Sequence, residues 1–288
     1  MTTLQERQLQ KDTYNLRYYT QGDPSKEAIV FIHPAYGDHT CFHHQMDVFA
    51  EGYHVISLDM PGHGKSQVRG GNVSIDATVD LVAEILAAEG HEQAHLVGAS
   101  LGSLMAQAVA HRYPHLAKSV TICGGYSIFG NNSAISKAQN REIFKAFFLM
   151  LFNMDGFRRY VVKNTNVVEA EQEFFYRAMQ KFTRRSLPVM SGMGKILDKT
   201  PRTLTQSLLI VTGEHDLPII LSNGRTGKSA NRTPSCRSSH KPVTAPTWTI
   251  RQSLTRCSKT SLHRKPEFIP TLKPALLESF PARTAQTE

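Results

Sequence analysis

Ala94-His95-Leu96-Val97-Gly98-Ala99-Ser100-Leu101-Gly102 is the stretch that decides the fold. The apolar run Ala94–Val97 reads as a buried strand, and the small-residue-rich run Leu101–His111 reads as a helix. Between them stands G-A-S-L-G. Alone, that pattern is weak. The strand before it and the helix after it distinguish it from a serine in an ordinary glycine-rich turn. Glycines at 98 and 102 permit a sharp strand-to-helix turn that side chains would block. Ser100 is then held in a strained backbone with its hydroxyl above the sheet. The Leu101 N–H and the new helix N-terminus face any oxyanion formed there.

Working outward, Ala28–Ile32 (AIVFI), His54–Leu58 (HVISL), Ser119–Cys123 (SVTIC) and Leu208–Val211 (LLIV) are further apolar runs, and Thr13–Tyr19 alternates weakly. Unbroken runs of this length suit parallel strands buried on both faces. Ser74–Glu89 has a helical period through Ile75, Val79, Leu81, Val82, Ile85 and Leu86. Strands alternating with helices predict an α/β fold, a mostly parallel sheet with helices on both faces. From Tyr126 to Thr200 the pattern is helical and aromatic-rich, with Phe144, Phe147, Phe148, Phe152, Phe157, Phe174, Phe175 and Tyr176. An all-helical insertion between two sheet strands reads as a lid. Most of its aromatics are expected to pack it onto the sheet, with one or two lining a substrate pocket.

Two loops at strand ends carry chemistry. In His33-Pro34-Ala35-Tyr36-Gly37, Pro34 has no N–H, so Ala35 is the candidate second oxyanion donor. Gly213-Glu214-His215-Asp216 follows the last strand. A nucleophilic serine needs a base, and the base needs a carboxylate to hold its tautomer. Asp216 suits that role, with Glu214 as the alternative and a solvated turn residue as the plain reading. The loop from Asp59 to Ser66 (DMPGHGKS) looks structural, and His63 within it reads as a hydrogen-bonding brace.

These motifs together resemble the α/β-hydrolase family, in particular single-domain, esterase-like members with a helical lid, over roughly residues 12–221. The resemblance implies Ser100 as nucleophile, Asp216 as triad acid, and the Ala35 and Leu101 N–H groups as the oxyanion hole. It implies a serine hydrolase that cleaves an ester or similar acyl bond through an acyl-enzyme, with no metal or organic cofactor. The partner would be a small ester-like molecule, with no nucleic acid or membrane. Pro34 departs from the glycine usual in the family. A serine at 100 argues against dehalogenating or epoxide-opening members, which use a carboxylate. A lactonase, a carbon–carbon bond hydrolase, a peroxidase-like relative or a non-catalytic binding protein with a basic tail are the alternatives.

The composition (288 residues, 40% hydrophobic, 20% charged) excludes collagen, coiled coil and wholesale disorder. No apolar run approaches ~20 residues, so no transmembrane helix is expected, and the polar N-terminus lacks the apolar core of a signal peptide. Cys41, Cys123, Cys236 and Cys257 have neither metal nor disulfide spacing, which points to a reducing cytoplasm. The net charge of +9 lies wholly in residues 222–288, with 12 Lys+Arg against 3 Asp+Glu; residues 1–221 hold 21 of each. The expected organisation is therefore a core over 1–125, a lid over 126–200, a core strand and acid loop over 201–221, and a basic Ser/Thr/Pro-rich, disordered tail over 222–288. The resemblance implies a catalytic histidine in that tail, yet neither His240 nor His263 follows an apolar strand. Codons for residues 239–251 (SHKPVTAPTWTIR), read one base-shift over, permit P-Q-A-G-H-C-A-N-M-D-N-P, and the Trp248–Thr249 junction forces the Asp. The tail is therefore expected to be out of frame. The missing histidine codon would straddle Val243 and Thr244.

Overall fold

The computed structural model describes residues 3–69, 73–130, 145–165 and 169–212. Asp216, Glu214, His215 and the whole tail from 222 lie outside them. Among the described residues seven strands form one sheet: β1 (Gln5–Gln10), β2 (Asn15–Gln21), β3 (Ala28–Ile32), β4 (His54–Leu58), β5 (Ala94–Ala99), β6 (Ala117–Cys123) and β7 (Ser207–Val211). Their order is β1-β2-β4-β3-β5-β6-β7. β1 and β2 form an antiparallel hairpin, β2 runs antiparallel to β4, and every other pairing is parallel. The mostly parallel α/β sheet read from the sequence is what the chain forms.

The unbroken apolar runs are explained by burial on both faces. Along β3, Ala28, Val30 and Ile32 enter one core, while Ile29 and Phe31 enter another. The first core is covered by α2 (Thr78–Ala88) and α3 (Leu101–Arg112), the second by α1 (His43–Phe49). β1 was not legible as a strand: QERQLQ is exposed along nearly its whole length, so no apolar alternation marks it.

Between β6 and β7 the described residues include helices at 145–152, α4 (Met154–Thr165) and α5 (Glu169–Met179). The base of this insertion is pinched: the Gly130 N–H donates to the Asp198 carbonyl (2.8 Å) and the Asp198 N–H to the Ile128 carbonyl (2.9 Å). Met150, Phe157, Val162, Phe175, Met179 and Phe182 give the insertion its own core, and Tyr36 and Cys41 of the β3–α1 loop pack against it. Phe157 and Phe175 are buried in this core rather than against the strands, and Phe147, Phe148 and Phe152 are 50%, 56% and 70% exposed, so these aromatics do not pack onto the sheet as expected. Phe148 and Phe152 lie on the side of 145–152 away from buried Met150. Phe148 and Phe152, four residues apart, pack on each other instead (4.6 Å between ring centroids). No described helix is long and apolar enough to cross a membrane.

Candidate active site

Parallel pairing puts the strand ends on one edge. Ile32 of β3 pairs with Gly98 of β5, and Cys123 of β6 with Val211 of β7. The carboxyl ends of β3, β5, β6 and β7 therefore lie side by side, which is where ligands bind in sheets of this kind.

At the end of β5, Ser100 has φ 47° and ψ −113°, a left-handed backbone rare for a residue with a side chain. Its N–H donates to the Cys123 carbonyl on β6 (2.8 Å), and its carbonyl accepts from the Ser103 N–H (3.0 Å) and Oγ (2.6 Å). α3 starts at Leu101, so the first N–H groups of the helix lack intrahelical acceptors and carry its partial positive charge. Both flanking glycines are sterically required. A Cβ on Gly98 would lie 2.2 Å from the Gly102 carbonyl oxygen, and one on Gly102 would lie 1.9 Å from the Ile32 oxygen and 2.7 Å from the His33 oxygen. The turn at Ser100 is thus pressed directly against the start of the loop that carries Ala35.

That loop is held from below. The His33 Nδ1–H donates to the Pro34 carbonyl (2.7 Å), and its Nε2 accepts from the Met60 N–H (3.0 Å). His33 is fully buried, and burial depresses its pKa. His63 is also fully buried. Its Nδ1–H donates to the Pro61 carbonyl (2.9 Å), and burial, reinforced by His33, lowers its pKa to about 3. Both rings are neutral at physiological pH.

The sequence reading missed a buried polar cluster beneath this loop. The Asp59 Oδ1 accepts from the His39 N–H (2.9 Å) and Nδ1–H (2.8 Å), and its Oδ2 from the Lys65 N–H (2.8 Å). Gly64, at φ 49°, leaves room for that carboxylate: a Cβ there would meet it at 2.1 Å. Asp38 accepts from the Thr40 N–H (3.0 Å) and hydroxyl, and from Lys181 Nζ of the insertion (2.6 Å). Burial alone would raise the Asp38 pKa. The Lys181 ammonium and Thr40 outweigh it and hold the carboxyl below its usual range. Asp38, His39 and Asp59 bring three potential metal-ligand atoms within 4.8 Å of one another. Their polar atoms already bond backbone N–H groups and an ammonium, so the cluster suits a loop brace better than a cation.

Among known proteins, a sequence profile for the alpha/beta hydrolase fold matches residues 27–180, more than half of the chain. The (E)-2-((N-methylformamido)methylene)succinate hydrolase of Acinetobacter baylyi is 33% identical over 108 residues, 38% of this chain and 40% of that protein. A 2-hydroxy-6-oxononadienedioate/2-hydroxy-6-oxononatrienedioate hydrolase of Burkholderia vietnamiensis is 37% identical over 114 residues, 38% of this chain and 39% of that protein. The chain thus spans about two fifths of the length of these curated relatives. The enol-lactonase of Burkholderia xenovorans superposes with a TM-score of 0.61 at 18% identity, covering 76% of this chain and 85% of that one. A carboxylesterase structure from the thaumarchaeon Nitrososphaera gargenis gives 0.63 at 14% identity, covering 77% and 85%. At such identities the structural likeness speaks for the fold alone. With the profile spanning the sheet from the end of the β2–β3 connection through the turn at Ser100 and into the helical insertion, the chain belongs to the α/β-hydrolase fold family.

Proposed function

We propose that this chain is a serine hydrolase that cleaves an ester or similar acyl bond in a small molecule. The observation that carries this reading is Ser100, a left-handed, non-glycine residue placed at the first free N–H groups of α3. In the proposed reaction the Ser100 Oγ attacks the acyl carbon and gives its proton to a base. The carbonyl electron pair moves to oxygen, where the Leu101 and Ala35 N–H groups receive it. The alcohol then leaves with the proton, and water reverses the sequence to release the acid. Asp216 is assigned as the carboxylate that orients the base, and residues 126–200 as the lid that shelters the acyl group. A cytoplasmic location follows from the cysteine pattern.

The base is the weak point of this sequence. His33 has both ring nitrogens engaged, and His63 is fully buried with a pKa of about 3, far from the working range of a general base. We therefore read the 288-residue chain as impaired, its residues from about 222 onward being out of frame. A carbon–carbon bond hydrolase or lactonase is the second reading, and the relatives named as succinate-derivative and nonadienedioate hydrolases support it.

A fluorophosphonate probe tests the nucleophile. The expected result is slow labelling of this chain and none of Ser100→Ala, with faster labelling once one base is added or removed so that A-G-H is restored. Absence of labelling in both frames would overturn the reading. Turnover of aryl esters, enol-lactones and vinylogous diketones by the restored protein separates the two substrate classes.

A further inference from the structure

The oxyanion donor assigned above is one side of a single peptide group. The Pro34 carbonyl and the Ala35 N–H belong to the same planar unit, so whatever holds the carbonyl also aims the N–H. Two donors hold that carbonyl: the His33 Nδ1–H (2.7 Å) and the Gly37 N–H (3.2 Å). The second bond closes a four-residue turn, Pro34 to Gly37, whose third residue is Tyr36 at φ 69°. A positive φ at that position is the mark of a type II turn, where glycine is the usual occupant. Tyrosine is held there against its own preference, and the restraint comes from the insertion.

Two contacts from the insertion straddle the turn. The Tyr36 ring stands edge-on between Phe157 and Phe182, with ring centroids 5.0 Å away in each case, and both phenylalanines are at most 1% exposed. Two residues on, the fully buried Asp38 carboxylate meets Lys181 Nζ at 2.6 Å across 143 residues of sequence. The Lys181 carbonyl is in turn held by Gln67 Nε2 (3.1 Å), on the loop beyond the Asp59–Ser66 segment. A Cβ on Gly37 would lie 2.7 Å from Cys41 Sγ and 3.2 Å from the Phe175 ring, so the turn has no slack toward α5.

We propose that the helical insertion sets the oxyanion hole: Tyr36 and Lys181 are positioning residues that lock the Pro34–Gly37 turn and so aim the Ala35 N–H. The inference rests on the serine-hydrolase reading for its catalytic consequence, though not for the lock itself. It makes displacement of the insertion and loss of the hole one event.

Two readouts test it on the full chain. The first is hydrogen–deuterium exchange at the amides of residues 36–41. In Lys181→Met these amides are expected to exchange at least tenfold faster than in the parent, with β5 and α3 unchanged, and Lys181→Arg is expected to restore protection. The second is fluorophosphonate inactivation. Its maximal rate constant is expected to fall about tenfold or more in Lys181→Met and in Tyr36→Ala, with the half-saturating probe concentration unchanged, and to recover in Lys181→Arg and Tyr36→Phe. Lys181→Met leaves a buried unpaired carboxylate, so the double variant Asp38→Asn/Lys181→Met takes its place if the single one fails to fold. Parent-like exchange over 36–41 in the folded Lys181 variants would overturn the lock. Faster exchange with an unchanged maximal inactivation rate would overturn its link to the oxyanion hole. If neither parent nor variants label, the hydrolase reading fails and the exchange result alone decides the lock.

Discussion

Gly102 lies against Ile32 so closely that a Cβ on it would sit 1.9 Å from the Ile32 carbonyl oxygen. This contact joins the first turn of α3 to the end of β3, and with it the turn at Ser100 to the loop that carries Ala35. The obstacle is backbone in a central strand, which cannot rotate away as a side chain would. Gly102→Ala is therefore expected to cost about 3 kcal/mol or more, at the upper end of overpacking substitutions. Urea unfolding of the variant against the parent checks this; a loss under ~1 kcal/mol would mean that α3 shifts freely.

Ser100 separates strain from chemistry. Both Ser100→Ala and Ser100→Gly remove the hydroxyl, but only glycine relieves the left-handed backbone at φ 47°. Strain of this kind costs about 1–3 kcal/mol, against ~0.4–1 kcal/mol for the extra freedom of glycine in the unfolded chain. Ser100→Gly is expected to unfold at higher denaturant than Ser100→Ala, by up to ~2 kcal/mol, while neither is labelled by a fluorophosphonate. Equal stability of the two would remove the argument for a strained turn.

Buried neutral histidines should make the fold acid-sensitive well above the carboxylate range. Burial lowers His63 to about 3 and His95 to about 4, and depresses His33 as well. In the unfolded chain each titrates near its ordinary value of 6.5. Between the two values the unfolded chain binds more protons. Stability is then complete above about pH 6.5 and falls as the pH drops, by up to ~1.4 kcal/mol per pH unit for each such histidine. Melting curves from pH 7.5 to 4.5 should show this slope, and His63→Gln should flatten it. A pH-independent midpoint over that window would contradict the assignment of neutral rings.

Arg158 ties two helices of the insertion together. From α4, its Nε donates to the Met179 carbonyl (3.2 Å) and its Nη2 to the Gln180 (3.3 Å) and Phe182 (3.0 Å) carbonyls, which caps the C-terminal end of α5. The planar fork reaches three acceptors at once, and a lysine ammonium cannot span them. Arg158→Lys is expected to lose about 1–2 kcal/mol, nearly as much as Arg158→Met. Protection of the Met179–Phe182 amides, followed by hydrogen exchange, should fall in both. Full retention in the lysine variant would show that charge alone suffices.

The strands and the turn at Ser100 were legible because their signals are local. Four-to-five-residue apolar runs report burial on both faces, and two glycines around a serine report a backbone that only glycine neighbours permit. β1 was not legible, since QERQLQ buries almost nothing and a hairpin edge strand is held by main-chain bonds that any side chains allow. Nor did the aromatic content of the insertion say which rings face inward: Phe157, Phe175 and Phe182 are buried, and Phe147, Phe148 and Phe152 are left outside.

The sequence by itself determined the parallel α/β sheet, the position of Ser100 between strand and helix, and a loop after β3 in which Pro34 has no N–H to offer. Only the tertiary structure decided that Lys181 reaches Asp38 and that Phe157 and Phe182 enclose Tyr36. Strand, turn and helix signals arise from sterics and burial among residues a few positions apart. A partner 143 residues away is chosen by which segments the strand order brings to the same edge of the sheet, and no local pattern records that choice.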